Sequence, residues 1–451
     1  MYNTVGMHTS KRLYSLFACF AAAAFLFVAA CASPSAPAPG MIADLDELPQ
    51  RASAYLDPRT ADIPLFADAA AQSQRFLRQW YGPWSRKEPR YGLEEVNWGT
   101  RVYGPKLLYG ENLLPRPSGW IAAQDELAGL GEFPNLKRPG IALANTSFRV
   151  LPTDKPAFRD PKLAGEGFPF DYMQNSALWA GTPLYLSHLS RDRAWVLCET
   201  QTTFGWVPAR DVAPVDEEFM VRWRSLPLAA VTADRVPLAD GLGRHFFEAR
   251  IGMALPLAAE EPGRYVVLAP RQDLGGMARI SQAAIGQDQA APLPLPATPK
   301  VLAGLMDGLM GRFYGWGGLY GERDCSATLQ DLFIPVGVLL PRDSFQQIQA
   351  GAMVDLTGLG SVEKREAIAA RGRPFATLLG KRGHVALYLG QHDGQTVIFH
   401  SIWGLGLGAG GQDGRHVIGR AVVTTLTPGQ EVPGLSPPLL ETLSTMTLLT
   451  P

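Results

Sequence analysis

Apolar positions along the chain change rhythm several times. From Leu13 to Ala30 they form a run broken only by Ser15, with Lys11 and Arg12 before it and the small residues Ala29, Ala30 and Cys31 at its end. Positive charge, then an apolar stretch, then small residues is the order of a secretory signal. The competing reading is a membrane anchor, since a span needs about 18 apolar residues or more. Pro34, Pro37 and Pro39 alternate with Ala and Ser up to Gly40, a composition that builds no core and predicts an extended tether. Between Leu65 and Trp80, residues Phe66, Ala69, Ala70, Phe76, Leu77 and Trp80 fall three to four apart. That spacing predicts a helix, stopped by Tyr81-Gly82-Pro83-Trp84.

From about Arg138 the pattern shortens. Thr182–His188, Ala194–Thr200 and Thr203–Pro208 read as strands, as do Ile251–Leu257 and Arg264–Ala269 farther on. Runs of five or six residues between turn signals predict small all-β modules. Pro292 to Pro299 is a proline-rich linker. Beyond it Val301, Leu302, Leu305, Met306 and Leu309 predict an amphipathic helix. A glycine- and aromatic-rich loop, Tyr314 to Gly321, leads through Asp324-Cys325-Ser326 into a helix over Ala327–Phe333. Strands are expected at His384–Leu389 and Val397–His400, with a less regular piece, Pro341 to Lys381, before them.

The length of 451 residues fits about three domains, and 46% hydrophobic residues exclude wholesale disorder. A formal charge of −1 argues against nucleic acid as the partner. Four cysteines in so long a chain exclude a disulfide scaffold, so each is read singly. Cys19 leaves with the leader, Cys31 ends it, and Cys198 in mid-strand reads as a buried structural thiol.

Cys325 is the thiol placed for reactivity. Asp324 is a good N-cap, so Cys325 falls in the first turn of its helix, where unpaired N–H groups and the helix dipole favour a thiolate. The glycines ahead of it leave room for a substrate backbone. A cysteine nucleophile needs a base and a group that orients the base. His384 opens one strand and His400 ends the next, so adjacent antiparallel strands bring both imidazoles to one helix start. Neither a His-x3-His nor a Cys-x2-Cys pair is present, which argues against zinc, and no cofactor motif appears. His188, His245, His392 and His416 carry no assigned chemistry.

Val28-Ala29-Ala30-Cys31 resembles a bacterial lipobox, which implies cleavage before Cys31 and lipidation of its thiol. The absence of Asp just after Cys31 implies the periplasmic face of the outer membrane in a Gram-negative cell. Thr203-Phe204-Gly205-Trp206-Val207-Pro208 resembles the closing hairpin of bacterial SH3-like modules. Tyr314-x-Trp316-Gly317-Gly318, Asp324-Cys325-Ser326, Gly383-His384-Val385-Ala386-Leu387-Tyr388-Leu389-Gly390 and Phe399-His400 together resemble the NlpC family of cell-wall cysteine peptidases. The whole chain is similar to the subgroup with two SH3-like domains and an N-terminal stabilising domain. Two features depart from the family: Ala327 stands where a glycine is usual, and the gap from Asp324 to Gly383 is long, so that Val354–Arg373 reads as an insertion over the cleft.

The resemblance implies an α+β multidomain chain. It has a leader (1–30), a lipidated Cys and tether (31–43), a mostly helical stabilising domain (44–137), and SH3-like β-barrels at 138–220 and 221–291. A linker (292–299) then joins a papain-like C-terminal domain (300–451). The implied function is hydrolysis of peptidoglycan stem peptides at the amide between γ-D-Glu and a diamino acid, meso-diaminopimelate or Lys, on stems with a free N-terminal L-Ala. Cys325 is the implied nucleophile, His384 the base and His400 the orienter. Trp316, Asp324, Ser326 and Ser344 match substrate-contacting positions, and Tyr172 of the first barrel is a further candidate for capping the ammonium, which Asp324 would pair. The alternatives are an inactive wall-binding lipoprotein and an acyltransferase on the same core. The sequence carries no signal of oligomeric state.

Overall fold

The computed structural model describes residues 41–408, 414–435 and 437–450. The expected leader, Cys31 and nearly all of the tether therefore lie outside the described residues. Among the described residues no helix is long and apolar enough to cross a membrane.

Residues from Ile42 to the first sheet form short helices with long connections, laid across every other part of the molecule. The predicted helix is α1 (Ala69–Trp80), and it starts later than its apolar pattern does because the Asp68 carboxylate accepts from the Ala71 N–H and caps it. Phe76 and Trp80 of α1 pack on Leu228, Ala254 and Ile334. Val96, Ala128 and Leu130 pack on Leu197 and Trp206, and Ile42 and Leu45 on Ile402, Leu405, Ile418 and Val422. This region has little core of its own and is stabilised by what it covers.

The first SH3-like domain carries strands β1 (Arg138–Ala142), β2 (Thr146–Arg149), β3 (Gln174–Leu178), β4 (Pro183–Leu189), β5 (Trp195–Glu199), β6 (Phe204–Pro208) and β7 (Val212–Pro214), in the spatial order β3-β2-β6-β5-β4-β1-β7. The second carries β8 (Leu228–Val231), β9 (Val236–Ala239), β10 (His245–Ala249), β11 (Ala254–Glu261), β12 (Arg264–Gln272), β13 (Ala278–Gly286) and β14 (Ala290–Pro292), as a five-stranded sheet β13-β12-β11-β8-β14 and a β10-β9 pair. In each domain the first strand pairs with the last, β1 with β7 and β8 with β14, but the two edge strands of the sheet do not pair, so each sheet is open. The expected strand at Ile251 begins only at Ala254. Ile251 instead lies in a turn and is fully buried in the core of the C-terminal domain. There the backbone comes so close to Asp331 that a Cβ on Gly252 would lie 2.5 Å from its carboxylate carbon.

The C-terminal domain opens with α2 (Pro299–Leu309), capped by the Thr298 hydroxyl with Pro299 in its first turn. After the glycine-rich loop comes α3 (Cys325–Phe333). Strands β15 (Gly351–Asp355), β16 (Thr377–Lys381), β17 (His384–His392), β18 (Gln395–Leu407), β19 (Gly414–Thr425) and β20 (Thr445–Leu449) form one antiparallel sheet in the order β15-β20-β16-β17-β18-β19. Val385, Leu387 and Leu389 of β17 face Leu329, Leu332 and Phe333 of α3. The alternate residues Ala386 and Tyr388 face Ile368, Leu439 and Leu440. Both faces are buried, which explains the continuous apolar run of β17. Ile368 belongs to α4 (Ser361–Arg371). The segment expected over the cleft therefore covers the opposite face of the sheet from α3.

The glycine-rich loop does not stand clear for a substrate, as its composition had suggested. Gly317 and Gly318 have φ of +57° and +84°, and a Cβ on Gly318 would lie 2.2 Å from the Ala177 amide nitrogen of β3. The glycines let the loop seat directly on the first SH3-like domain, where the Gln174 amide donates to the Gly317 carbonyl at 2.9 Å. Replacing Gly318 by Ala combines a strained φ with a backbone clash and is expected to cost about 2 kcal/mol or more. Denaturant unfolding of Gly318→Ala measures it; an unchanged midpoint would refute this packing.

Candidate active site

Cys325 is the first residue of α3 and is nearly buried. The Asp324 carboxylate caps the helix, accepting from the Ala327 N–H at 2.9 Å. The Cys325 Sγ accepts from the Val385 N–H, which brings the thiol to the start of β17 beside His384. His384 Nε2 lies 2.9 Å from His400 Nδ1, and His400 Nε2 lies 3.2 Å from the Thr424 hydroxyl. That hydroxyl donates to the Thr425 carbonyl at 2.8 Å. Its single proton is thereby used, so it accepts from His400 Nε2–H, and His400 Nδ1 accepts from His384 Nε2–H. This chain leaves Nδ1 of His384 as the basic nitrogen. The expected trio thus comes together, with Thr424 behind it.

One sequence expectation changes. Burial, reinforced by the neighbouring Asp324, pushes the Cys325 thiol up to about 12, against the Val385 N–H and the helix start. Burial and then Lys381 bring His384 down to about 4, and burial also lowers His400. The resting pair is therefore a neutral thiol and imidazole rather than the thiolate expected from the helix dipole, because desolvation outweighs the dipole.

Asp324 is fully engaged. Besides its cap it accepts from the Gly317 N–H at 3.0 Å and from the Ser326 hydroxyl at 3.2 Å, and Arg342 grips both oxygens at 2.7 and 3.2 Å. Burial works against its ionised form, but Arg342 and these hydrogen bonds hold its pKa below the ordinary carboxylate value. Arg342 also donates to the Ser326 hydroxyl and, across the domain boundary, to Ser176 of β3 at 2.8 Å. The sequence reading placed Arg342 only in the less regular piece from Pro341 to Lys381 and missed this guanidinium. Ser344 opens the short helix Ser344–Gln347, which is tied to α3 by the Gln347 amide donating to the Ser326 carbonyl at 2.8 Å.

A cavity of about 230 Å³ adjoins His384 and is lined by Trp316, Tyr314, Phe170 and Trp403 among others. Phe170 of the first SH3-like domain meets the Trp316 ring edge-on at 5.1 Å, and Tyr172 lies 6.2 Å from it. The Tyr172 hydroxyl donates to Glu166 at 2.7 Å. Burial raises the Tyr314 phenol well above its ordinary value, and the nearby Asp324 charge adds to this.

Residues 311–406 match the family model described as the NlpC/P60 family. The C-terminal domain is an NlpC/P60 domain. Ahead of it, residues 18–133 match the NLPC_P60 N-terminal stabilising domain, 156–208 an SH3 domain of the SH3b1 type, and 216–262 one of the SH3b2 type. Among solved structures the chain is similar to an NlpC/P60 endopeptidase from Photobacterium damselae subsp. piscicida, at 28% identity and a TM-score of 0.80, covering 90% of this chain and 98% of that one. It is also similar to an NlpC/P60 family protein from Bacillus cereus ATCC 10987, at 18% identity and a TM-score of 0.46, covering 69% and 100%. No curated protein sequence matches the chain. NlpC/P60 domains are those of cysteine endopeptidases, so the fold supports a cell-wall hydrolase.

In this NlpC/P60 domain His384 stays neutral down to about pH 4, whereas in the unfolded chain it titrates near 6.5. Between those values the unfolded state binds more protons, so stability falls as pH falls from 6.5 toward 4. The melting temperature should decline across that window, less steeply in His384→Gln. An equal slope in the variant would show that His384 is not held neutral.

Proposed function

We propose that the protein is a cysteine peptidase that hydrolyses the amide between γ-D-Glu and a diamino acid in peptidoglycan stems with a free N-terminal L-Ala. The observation that carries this reading is the Cys325–His384–His400 arrangement beside a cavity edged by Phe170 of the first SH3-like domain. Cys325 Sγ attacks the γ-glutamyl carbonyl as its proton passes to Nδ1 of His384, so thiolate and imidazolium form only as the bond is made. N–H groups at the start of α3, that of Cys325 among them, stabilise the oxyanion; the Tyr314 phenol is a further donor nearby. His384 then protonates the leaving amine, and water resolves the thioester. His400, oriented by Thr424, holds the His384 ring.

Trp316, Asp324, Ser326, Ser344 and Tyr172 are the proposed substrate contacts. The Asp324 charge is already balanced by a buried bidentate guanidinium, so Asp324 offers an acceptor rather than a free countercharge. Glu166, bonded to Tyr172 and paired, among the described residues, with the half-exposed Arg159, is the carboxylate better able to meet an ammonium, since exposed pairs contribute little. Lipidation of Cys31 would hold the enzyme at the periplasmic face of the outer membrane, for recycling or remodelling of the wall.

Cys325→Ala should abolish turnover of a defined stem peptide, read by mass spectrometry, and His400→Ala should lose less than His384→Ala. Cys198→Ala, at a fully buried thiol, should lower stability and spare activity. A fully active Cys325→Ala protein would sink the reading. N-acetylation of the stem should reduce kcat/KM by ~10-fold or more; equal rates on the free and acetylated peptides would remove the amine from the recognition. Cys31→Ser should release the protein from membranes, and unchanged retention would count against the lipid.

A further inference from the structure

The cavity beside His384 has an unusual charge balance. Lys381 and Arg415 line it, and among the described residues no carboxylate does. Lys381 is the last residue of β16 and lies directly opposite His384 in the β16–β17 hairpin. Arg415 reaches the same space from β19, where it is paired with Gly406 of β18. The charge of Arg415 is felt at Lys381, where it adds to burial in lowering the lysine's pKa, and Lys381 in turn disfavours protonation of His384. Most of the remaining lining is apolar or aromatic, Phe170, Trp316, Trp403, Leu405 and Leu439 among it. Two cations facing one partly enclosed, apolar-walled space, one of them half-buried, repel each other unless an anion sits between them.

The first SH3-like domain closes on this space as well. A Cβ on Gly165 would come within 3.3 Å of the Arg415 guanidinium, so the loop that carries Gly165 lies against Arg415 and limits how far it can swing. Lys381 is partly buried, and the exposed Arg415 is backed by that loop.

We propose that Lys381 and Arg415 form an anion subsite beside His384 that receives a carboxylate of the scissile γ-D-glutamyl–diamino acid unit. The inference rests on the amide cleavage proposed above and deepens it. Two carboxylates of that unit have the required chemistry: the free α-carboxylate of γ-linked D-Glu, and the side-chain carboxylate that meso-diaminopimelate carries and L-Lys lacks. A lysine stem would keep the D-Glu carboxylate but bring an ammonium, with no carboxylate, at the diamino-acid side chain. The subsite also separates charge from chemistry: burial, and after it Lys381, keep His384 neutral, and an anion bound at Lys381 offsets the second of these, so substrate binding itself raises the basicity of the imidazole that must accept the thiol proton.

Three peptides test this: L-Ala-γ-D-Glu-meso-diaminopimelate, its L-Lys counterpart, and the first peptide with the D-Glu α-carboxylate amidated. The full protein should discriminate against at least one of the two altered peptides by ~10-fold or more in kcat/KM, and Lys381→Met and Arg415→Gln should each lose most of that discrimination. Loss against the L-Lys peptide assigns the anion to the diamino acid; loss against the amidated peptide assigns it to D-Glu. Equal rates on all three peptides, or discrimination that survives both substitutions in proteins with unchanged melting temperature, would overturn the subsite. Calorimetric binding of the same peptides to Cys325→Ala reads the subsite apart from turnover. Selective binding there with no hydrolysis by the unmodified protein would overturn the proposed reaction and leave the subsite standing.

Discussion

The buried guanidinium of Arg323 is the constraint on which the rest of the arrangement depends. It stands two residues before Cys325 and is almost inaccessible to solvent. From the second SH3-like domain, Asp234 takes it in a two-pronged ion pair at 2.8 and 3.1 Å, and the Ile251 carbonyl accepts from it at 2.9 Å. From α3 itself, Asp331 accepts at 2.6 Å, and the same carboxylate oxygen accepts from the Trp179 indole of the first SH3-like domain at 3.0 Å. The backbone carbonyl of Arg323 accepts from Ser401, the residue after His400. Removing one partner from such a buried pair typically costs about 3–5 kcal/mol, because the remaining charge is stranded away from water. Three domains are thus referenced to one side chain next to the thiol, and the strand that carries His400 to its backbone carbonyl.

A second guanidinium does the same for the substrate side. Arg342 joins Asp324 and Ser326 of the cysteine motif to Ser176 of β3, while the Gly317 carbonyl accepts from Gln174 of the same strand. The strand that closes the cleft and the helix that bears the nucleophile therefore share hydrogen-bond partners. Aromatic contacts from Phe170 and Tyr172 to Trp316 extend the same boundary outward. The first SH3-like domain supplies Phe170 to the wall of the cavity beside His384.

Much of this was legible in the sequence. Strands at Trp195–Glu199 and Phe204–Pro208 and the helices α2 and α3 fall where local periodicity puts them, because each buries a face at its own period. Cys325 and His384 were readable because a helix cap and a strand start fix those positions locally, whereas His400, expected to end its strand, lies inside β18 (Gln395–Leu407). What was not readable is what depends on distant neighbours. Ile251 looks like a strand residue, yet its burial is supplied by another domain. Arg342 is 18 residues from Asp324 in sequence and gives no local signal of the pairing. The thiol's ionisation was misjudged for the same reason: a helix start is visible in the sequence, but the desolvation that overrides it exists only after the sheet and the loops have closed around Cys325.

Ile251 and Gly252 bear on how such a molecule can change over time. The turn that carries them inserts into the core of the C-terminal domain, while Ile42 and Leu45 cover β18 and β19 from the other end of the described chain. An NlpC/P60 domain cut free of its companions would have an open socket where Ile251 sits, an uncovered apolar patch at Ile402 and Leu405, and a buried arginine without its main counter-ion. Its parts are consequently not exchangeable units. Recombination that swapped one SH3-like domain for a distant relative would have to bring a matching plug and carboxylate with it, so the whole stretch from the stabilising domain to the last strand is bound to be inherited as a block.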